Sequence, residues 1–247
     1  MLIDYIDVYF RTDFSTMAES ERWLPIESNP EVMNSFLTKL GVPTDWEMCD
    51  VFGLDHELLL MLPQPCLALM LLFPVTEKYH EFSKEQEEAM RGVEISNKLY
   101  YMRQTISNAC GTVALMHSVI NNVIGEKINL KDGPLKTFME TTLSLSAEER
   151  AVRLEADDAI CECHDRAARE GQTQAPDRDE RVDYHFVSFV RVDGNLYELD
   201  GRKSGPIKKG KISAESFLSE AAAACKEYMS RDPENINFTV VALTAKD

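Results

Sequence analysis

Basic residues are scarce in this 247-residue chain: 26 Lys and Arg stand against 42 Asp and Glu, a formal charge of −16. Nonspecific binding to DNA or RNA needs basic surface that neutralises phosphates, so no nucleic-acid partner is expected. The balance suits a partner that is basic, at least locally. Long apolar runs are also missing. The longest, "CLALMLLF" (Cys66–Phe73), falls short of the roughly 18–20 residues that cross a bilayer, so no membrane role is expected. It fits a buried central strand or a short core helix. No stretch is rich enough in Gly, Ser or Pro to be a linker, and there is no internal repeat. With 44% hydrophobic residues, the length suits one domain with one sizeable core.

Disulfide staples are not needed in a chain this long, and its six Cys are widely scattered. The opening "MLIDYIDVYFRTDFST" lacks a basic n-region and carries Asp4, Asp7 and Asp13, so it does not read as a secretory signal. Reduced thiols in the cytoplasm are the expectation, with the nucleus as a second compartment. Cys161, Cys163 and His164 in "CECH" hint at a metal, but the spacing is not Cys-x-x-Cys and no second half follows. They read as thiols on a helix, and no metal is expected.

Residues 1–16 alternate apolar and polar, as an edge strand or a mobile extension would, and Met17–Asn29, "MAESERWLPIESN", reads like a fresh start. "NPEVMNSFLTKLGVP" carries a helix, with Asn29 as N-cap, Pro30 at the first helical position and Gly41 and Pro43 ending it. "DHELLLML" is a short helix stopped by Pro63. "SKEQEEAMRG" reads as a surface helix capped by Ser83 with Gln86, and "LSAEERAVRLEADDAICECHDRAAREG" as one helix from a Ser146–Glu149 capping box to Gly171. "GQTQAPDRDER" (Gly171–Arg181) has almost no apolar residue and is expected to be mobile loop. "YHFVSFVRVDGNLYELDGR" is a hairpin about a type I′ turn at Asp193-Gly194. "ISAESFLSEAAAACKEYM" is a late amphipathic helix and "NFTVVALTA" a final strand. Helices and antiparallel strands mix, so the class is α/β in the loose sense, or α+β.

One stretch stands apart: "QTISNACGTVALMHSVINN", Gln104 to Asn122. Val113, Ala114, Met116, Val119 and Ile120 follow Cys110 at helical spacing, which puts the Cys at or near a helix N-terminus. There the dipole and free N–H groups favour thiolate. Gly111 permits close backbone approach by a substrate. Position alone leaves Cys110 either a packed thiol or a nucleophile. Gln104, six residues upstream, could aim an amide N–H at the oxygen of a tetrahedral intermediate, with the Cys110 N–H as second donor.

His185 is the candidate base. If Asp193-Gly194 is a two-residue turn, Val192 faces Asn195, Val187 faces Asp200 and His185 faces Arg202. All share one face, because the side-chain period is two. Asp200 is then a diagonal neighbour of His185, roughly 7–8 Å away and within side-chain reach. A carboxylate there could fix the imidazole tautomer and stabilise imidazolium. His117, two turns along the helix from Cys110, reads as packed, and His56, His80 and His164 lack an evident acidic orienter.

These motifs resemble the ubiquitin C-terminal hydrolases, deubiquitinating cysteine proteases, and most nearly their small L3-type members. "RWLPIESNPEVMNSFLTKLG", "LLLFPVTEKY", "SAEERA", "EGQTQAP", "DYHFVSFVRVDGNLYELDGRKSGPI" and "RDPENINFTVVALTA" extend the likeness over Met17–Ala245. The resemblance implies a papain-like fold with helices on both sides of a central antiparallel sheet and a knotted backbone. It implies Cys110 as nucleophile, His185 as general base, Asp200 as its orienter, Gln104 as oxyanion donor, and no cofactor. Residues 147–181 match a crossover loop over the active site. Pro25, Ile26, Asp183 and Tyr184 match ubiquitin contacts. Ubiquitin is the implied partner, Nedd8 a second candidate, and a monomer the expected state. Residues 1–16 have no counterpart, and Met17 resembles the usual initiator. Two rivals stay open: a non-catalytic protein that sequesters ubiquitin, and another Cys-His-Asp acyl transferase of transglutaminase type.

Overall fold

The "CLALMLLF" run lies at the heart of the structure, between two layers of helices. The computed structural model describes residues 23–171 and 183–246. The elements run α1 (Pro30–Leu40), β1 (Trp46–Asp50), α2 (His56–Leu59), β2 (Cys66–Pro74), α3 (Glu77–Ala89), α4 (Cys110–Ile124), α5 (Pro134–Thr142) and α6 (Ala147–Glu155). Then follow α7 (Asp158–Arg169), β3 (Tyr184–Val192), β4 (Asn195–Leu199), β5 (Ile207–Lys211), α8 (Phe217–Arg231) and β6 (Thr239–Ala245). The strands form one six-stranded sheet, order β1-β6-β2-β3-β4-β5, with every pair antiparallel. Among the described residues no helix is long and apolar enough to cross a membrane.

β2 is apolar at successive positions because both its faces are covered. Ala68 and Met70 join the core under α1, α4, α5, α6 and α7, while Leu69, Leu71 and Phe73 join the core under α2 and α8. β6, last in the chain, fills the place between β1 and β2.

Local signals fix several element ends. The Asn29 side chain accepts from the Glu31 N–H, and Gly41 ends α1 at φ 96°, a left-handed conformation glycine adopts without Cβ strain. Ser146 and Glu149 form the expected capping box. The hairpin turns at Asp193 and Gly194, both at positive φ, with Val192 opposite Asn195 and Ser188 opposite Leu199.

Other expectations need correction. The charged helix starts at Glu77, not after Ser83, because the chain turns from β2 into α3 within two residues of Pro74. Ser83 is therefore mid-helix. The long helix expected from Ser146 to Gly171 is two helices. Asp157 caps the second by accepting from the Ile160 N–H, so a new N-terminus opens where a single helix was read. β1, α5 and β5 were not anticipated. Residues 1–16 and the loop beyond Gly171 lie outside the described residues.

α4 is buried nearly all round, so its polar side chains must find partners within the protein. Ser118 Oγ pairs with Ser188 Oγ of β3 at 2.8 Å, and Asn122 Nδ2 donates to Leu67 O of β2 at 3.2 Å. Asn121 exchanges two hydrogen bonds with the Tyr100 backbone. His117 is packed, as expected: its Nε2 accepts from the Met102 N–H at 3.0 Å and its ring stacks on Tyr101. These bonds register the segment leading to Gln104 against the helix that starts at Cys110.

Burial pushes the His117 pKa down to about 4. The unfolded chain binds this proton near pH 6.5 and the folded chain does not, so stability falls as pH drops from 6.5 towards 4. The loss from this group is roughly 3 kcal/mol. His117→Gln keeps an acceptor for Met102 and cannot titrate. It should therefore show a smaller drop in urea midpoint between pH 7 and pH 4 than the parent; equal drops would remove His117 from the acid response.

Candidate active site

Cys110 is the first residue of α4, following Ala109 at the cap position, and it is half-buried. Its position is set by the loop before it. The Trp23 N–H donates to Ser107 O at 3.0 Å, and Asn108, at φ 64°, donates from Nδ2 to Trp23 O at 3.1 Å. The first N–H groups of a helix have no partner within it, so the Cys110 N–H and the helix dipole are available to an anion at this end.

His185 comes from the start of β3, opposite Phe73 of β2, whose ring meets it edge-on at 5.7 Å. Asp200 follows the last residue of β4. The regular ladder stops at Ser188–Leu199, so the expected Val187–Asp200 pairing is not part of it. The side chains meet nonetheless: His185 Nε2 lies 2.6 Å from Asp200 Oδ1, and both are fully buried. The diagonal reach argued from the register is therefore realised beyond the end of the strand.

A buried carboxylate keeps its charge only when donors surround it. Asp200 Oδ1 also accepts from the Arg202 N–H at 2.9 Å, and Oδ2 accepts from the Tyr79 hydroxyl at 2.6 Å. Lys203 Nζ stands 3.9 Å from Oδ2, and the Tyr101 hydroxyl bridges the Asp200 and Lys203 carbonyls. Burial opposes ionisation of Asp200, but His185, Lys203 and Tyr79 outweigh it and hold the carboxyl well below its usual range. Burial likewise opposes charge on His185, and Asp200 outweighs it, so the imidazole pKa is raised. The Cys110 thiol is lowered against its own burial, chiefly by His185. The three directions together favour a thiolate–imidazolium pair. Among the described residues no oxygen or nitrogen partners His185 Nδ1, and the Cys110 thiol is the group that interacts with the ring there. Because Nε2 is committed to Asp200, Nδ1 is the nitrogen left to serve the thiol, the reverse of ring use in serine triads.

Gln104 is anchored rather than loose. Its N–H donates to Gly201 O at 2.8 Å and its Nε2 to Ile106 O at 3.0 Å. An amide nitrogen carries two N–H groups, so one is left for another acceptor. A Cβ on Gly201 would stand 2.9 Å from Gln104 Cβ and 3.1 Å from Val113 Cγ1, so only glycine lets the residue after Asp200 lie against Gln104.

Of the expected substrate contacts, Asp183 and Tyr184 are exposed and Pro25 is half-buried. Ile26 does not sit at the surface; its side chain is buried against Gly111. Cys161 and Cys163 are half-buried on α7. His164 is buried, with Nε2 against Leu24 O and Nδ1 against Thr112 Oγ1, both at 2.7 Å. Tyr79 was missed. The misplaced start of α3 hid it, although Tyr79 and Gln86 stand seven apart, on one helical face.

The family "Ubiquitin carboxyl-terminal hydrolase, family 1" matches residues 23–230. A ubiquitin carboxyl-terminal hydrolase of Drosophila melanogaster is 48% identical over 225 residues, 90% of this chain and 97% of the relative. A "Ubiquitin carboxyl-terminal hydrolase isozyme L1" of Rattus norvegicus is 45% identical over 89% of this chain and 96% of its own length. Among solved structures, the Trichinella spiralis UCH37 catalytic domain bound to ubiquitin vinyl methyl ester superposes with a TM-score of 0.73. It is 24% identical and covers 91% of this chain and 96% of that one, a likeness of fold. The chain belongs to the family 1 ubiquitin carboxyl-terminal hydrolases.

Proposed function

We propose that this protein is a deubiquitinating thiol hydrolase that cleaves small adducts or short peptides from the C-terminal glycine of ubiquitin. The observation that carries the reading is the buried 2.6 Å pair of His185 and Asp200 beside a thiol lowered by that imidazole. Cys110 Sγ attacks the glycine carbonyl, and the oxygen takes up the negative charge between Gln104 Nε2 and the Cys110 N–H. His185 gives its Nδ1 proton to the leaving amine as the C–N bond breaks, leaving a thioester. It then takes a proton from water, whose oxygen attacks the thioester and releases ubiquitin and the thiolate. Asp200 stays ionised throughout. A sequestering protein would need no such charged pair, and an acyl transferase of another family would not carry these motifs from end to end.

The finer readings rest on the sequence. The isozyme is of the small L3-type kind by its motifs. Residues 17–247 form the catalytic domain, working as a monomer in cytoplasm and nucleus, with Nedd8 as a second substrate. Residues 147–181 act as the crossover. Glu170, at its base, is tied to Ser35 and Lys39 of α1, and Asp183 O accepts from the Val75 N–H at 2.7 Å. The chain between these anchors spans at most about 45–50 Å, whatever its conformation. A ring of that contour is about 15 Å across, whereas a folded domain of ubiquitin's size is near 29 Å. Short C-terminal extensions should therefore be cleaved far faster than ubiquitin–ubiquitin isopeptide bonds. Inserting about ten Gly/Ser residues near Gln174 should raise di-ubiquitin cleavage and leave a small ubiquitin amide unaffected. Similar wild-type rates on di-ubiquitin and on short extensions would defeat the size argument.

A further inference from the structure

α3 is a charged helix that buries only Tyr79 and Gln86 of its thirteen residues. Both reach carboxylates at the far end of β4, and they reach different ones. Gln86 Nε2 donates to Glu198 Oε2 at 3.0 Å, and Gln86 Oε1 accepts from Lys203 Nζ at 2.5 Å. Glu198, Lys203 and the Tyr228 hydroxyl then close a buried cluster whose Lys203 also stands 3.9 Å from Asp200 Oδ2. Tyr79 instead donates to Asp200.

The two oxygens of Asp200 have different surroundings. Oδ1 serves His185 and the Arg202 N–H. Oδ2 has the Tyr79 hydroxyl at 2.6 Å, with the Lys203 ammonium farther off at 3.9 Å. A carboxylate held on Oδ1 alone can turn about its last torsion, and the imidazole turns with it. The Tyr79 ring is itself wedged against Phe73, at 5.0 Å between centroids, and Phe73 also meets His185 edge-on. The hydroxyl is thus fixed by the same aromatic packing that fixes the imidazole.

We propose that Tyr79 is a positioning residue for the reaction: by donating to Asp200 Oδ2 it holds the carboxylate plane so that Oδ1 stays on His185 Nε2. The inference rests on the thiol-hydrolase reading above. Burial, then the charge of Asp200, push the Tyr79 pKa up, so the hydroxyl remains a donor and is not a proton source. Its effect passes wholly through Asp200. The charged and titratable groups around the pair are Cys110 and His117 from α4, Glu198 from β4, Arg202 and Lys203 from the loop after β4, Tyr228 from α8, Tyr101 from the segment before α4, and Tyr79 itself.

The test compares the full chain with Tyr79→Phe and Lys78→Met, each assayed on a fluorogenic ubiquitin C-terminal amide and by iodoacetamide alkylation of Cys110 across pH. Phe keeps the ring and its packing. Tyr79→Phe should lower kcat about tenfold with KM within twofold, the effect of one charge-assisted hydrogen bond. Without that donor Oδ1 strays from His185 Nε2, so the imidazolium loses part of its counter-charge and the upper limb of the alkylation profile moves to lower pH. Lys78→Met severs the α3 contact to Asp232 at 2.9 Å without touching Asp200 or Lys203; it should keep kcat within twofold and the limb in place. A limb that stays in place or moves to higher pH in Tyr79→Phe, or equal kcat losses in the two variants, would overturn the proposal. An inactive wild type would overturn the hydrolase reading itself, an outcome distinct from an active wild type matched by Tyr79→Phe.

Discussion

Cys110→Ser is expected to abolish hydrolysis of ubiquitin C-terminal amides and to leave ubiquitin binding intact. A serine hydroxyl does not ionise beside His185 as the lowered Cys110 thiol does. Losses of a nucleophile in catalytic triads reach about 10⁶-fold in kcat. Binding should survive because a protein partner covers far more surface than one side chain. The variant changes a single atom in a half-buried position, so its fold should match the parent's. Calorimetric titration with ubiquitin and a steady-state assay check both halves. Retained turnover would remove Cys110 from the mechanism.

Gln104→Ala is expected to lower kcat by about 10²–10³ with little change in KM. The donor acts on charge that develops only in the transition state, so its loss spares substrate binding. The backbone of residue 104 is held to Gly201 and the side chain to Ile106 O. Alanine keeps the first contact, which confines the defect to the missing amide. A loss under tenfold would mean that the Cys110 N–H stabilises the oxyanion unaided.

The parts of the site that proved readable were those written in local chemistry. Asp193-Gly194 set a two-residue turn, and from that turn the register brought Asp200 towards His185. The helical run after Cys110 put the thiol at a helix start, and Asn29, Pro30 and Gly41 bounded α1. What stayed hidden depends on contacts distant in sequence. β6 enters between β1 and β2 from the other end of the chain. β1 and β5 are five residues each, and β5 is nearly all Lys and Gly, so neither shows a clear alternation. α3 looked like a solvent-exposed helix because its two buried side chains are held by carboxylates 112 and 121 residues away rather than by an apolar face. Ile26, matched to a ubiquitin contact, is packed on Gly111, a burial that the short segment "WLPIES" does not reveal.

The central claim is that Cys110 is the nucleophile that acts on ubiquitin's C-terminal glycine. Its most direct test is incubation of the full chain with ubiquitin bearing a C-terminal electrophile, followed by peptide mapping of the adduct. The account predicts a single covalent ubiquitin on Cys110, with none on Cys49, Cys66, Cys161, Cys163 or Cys225 and none in Cys110→Ser. Failure to label, or labelling at any other cysteine, would contradict it.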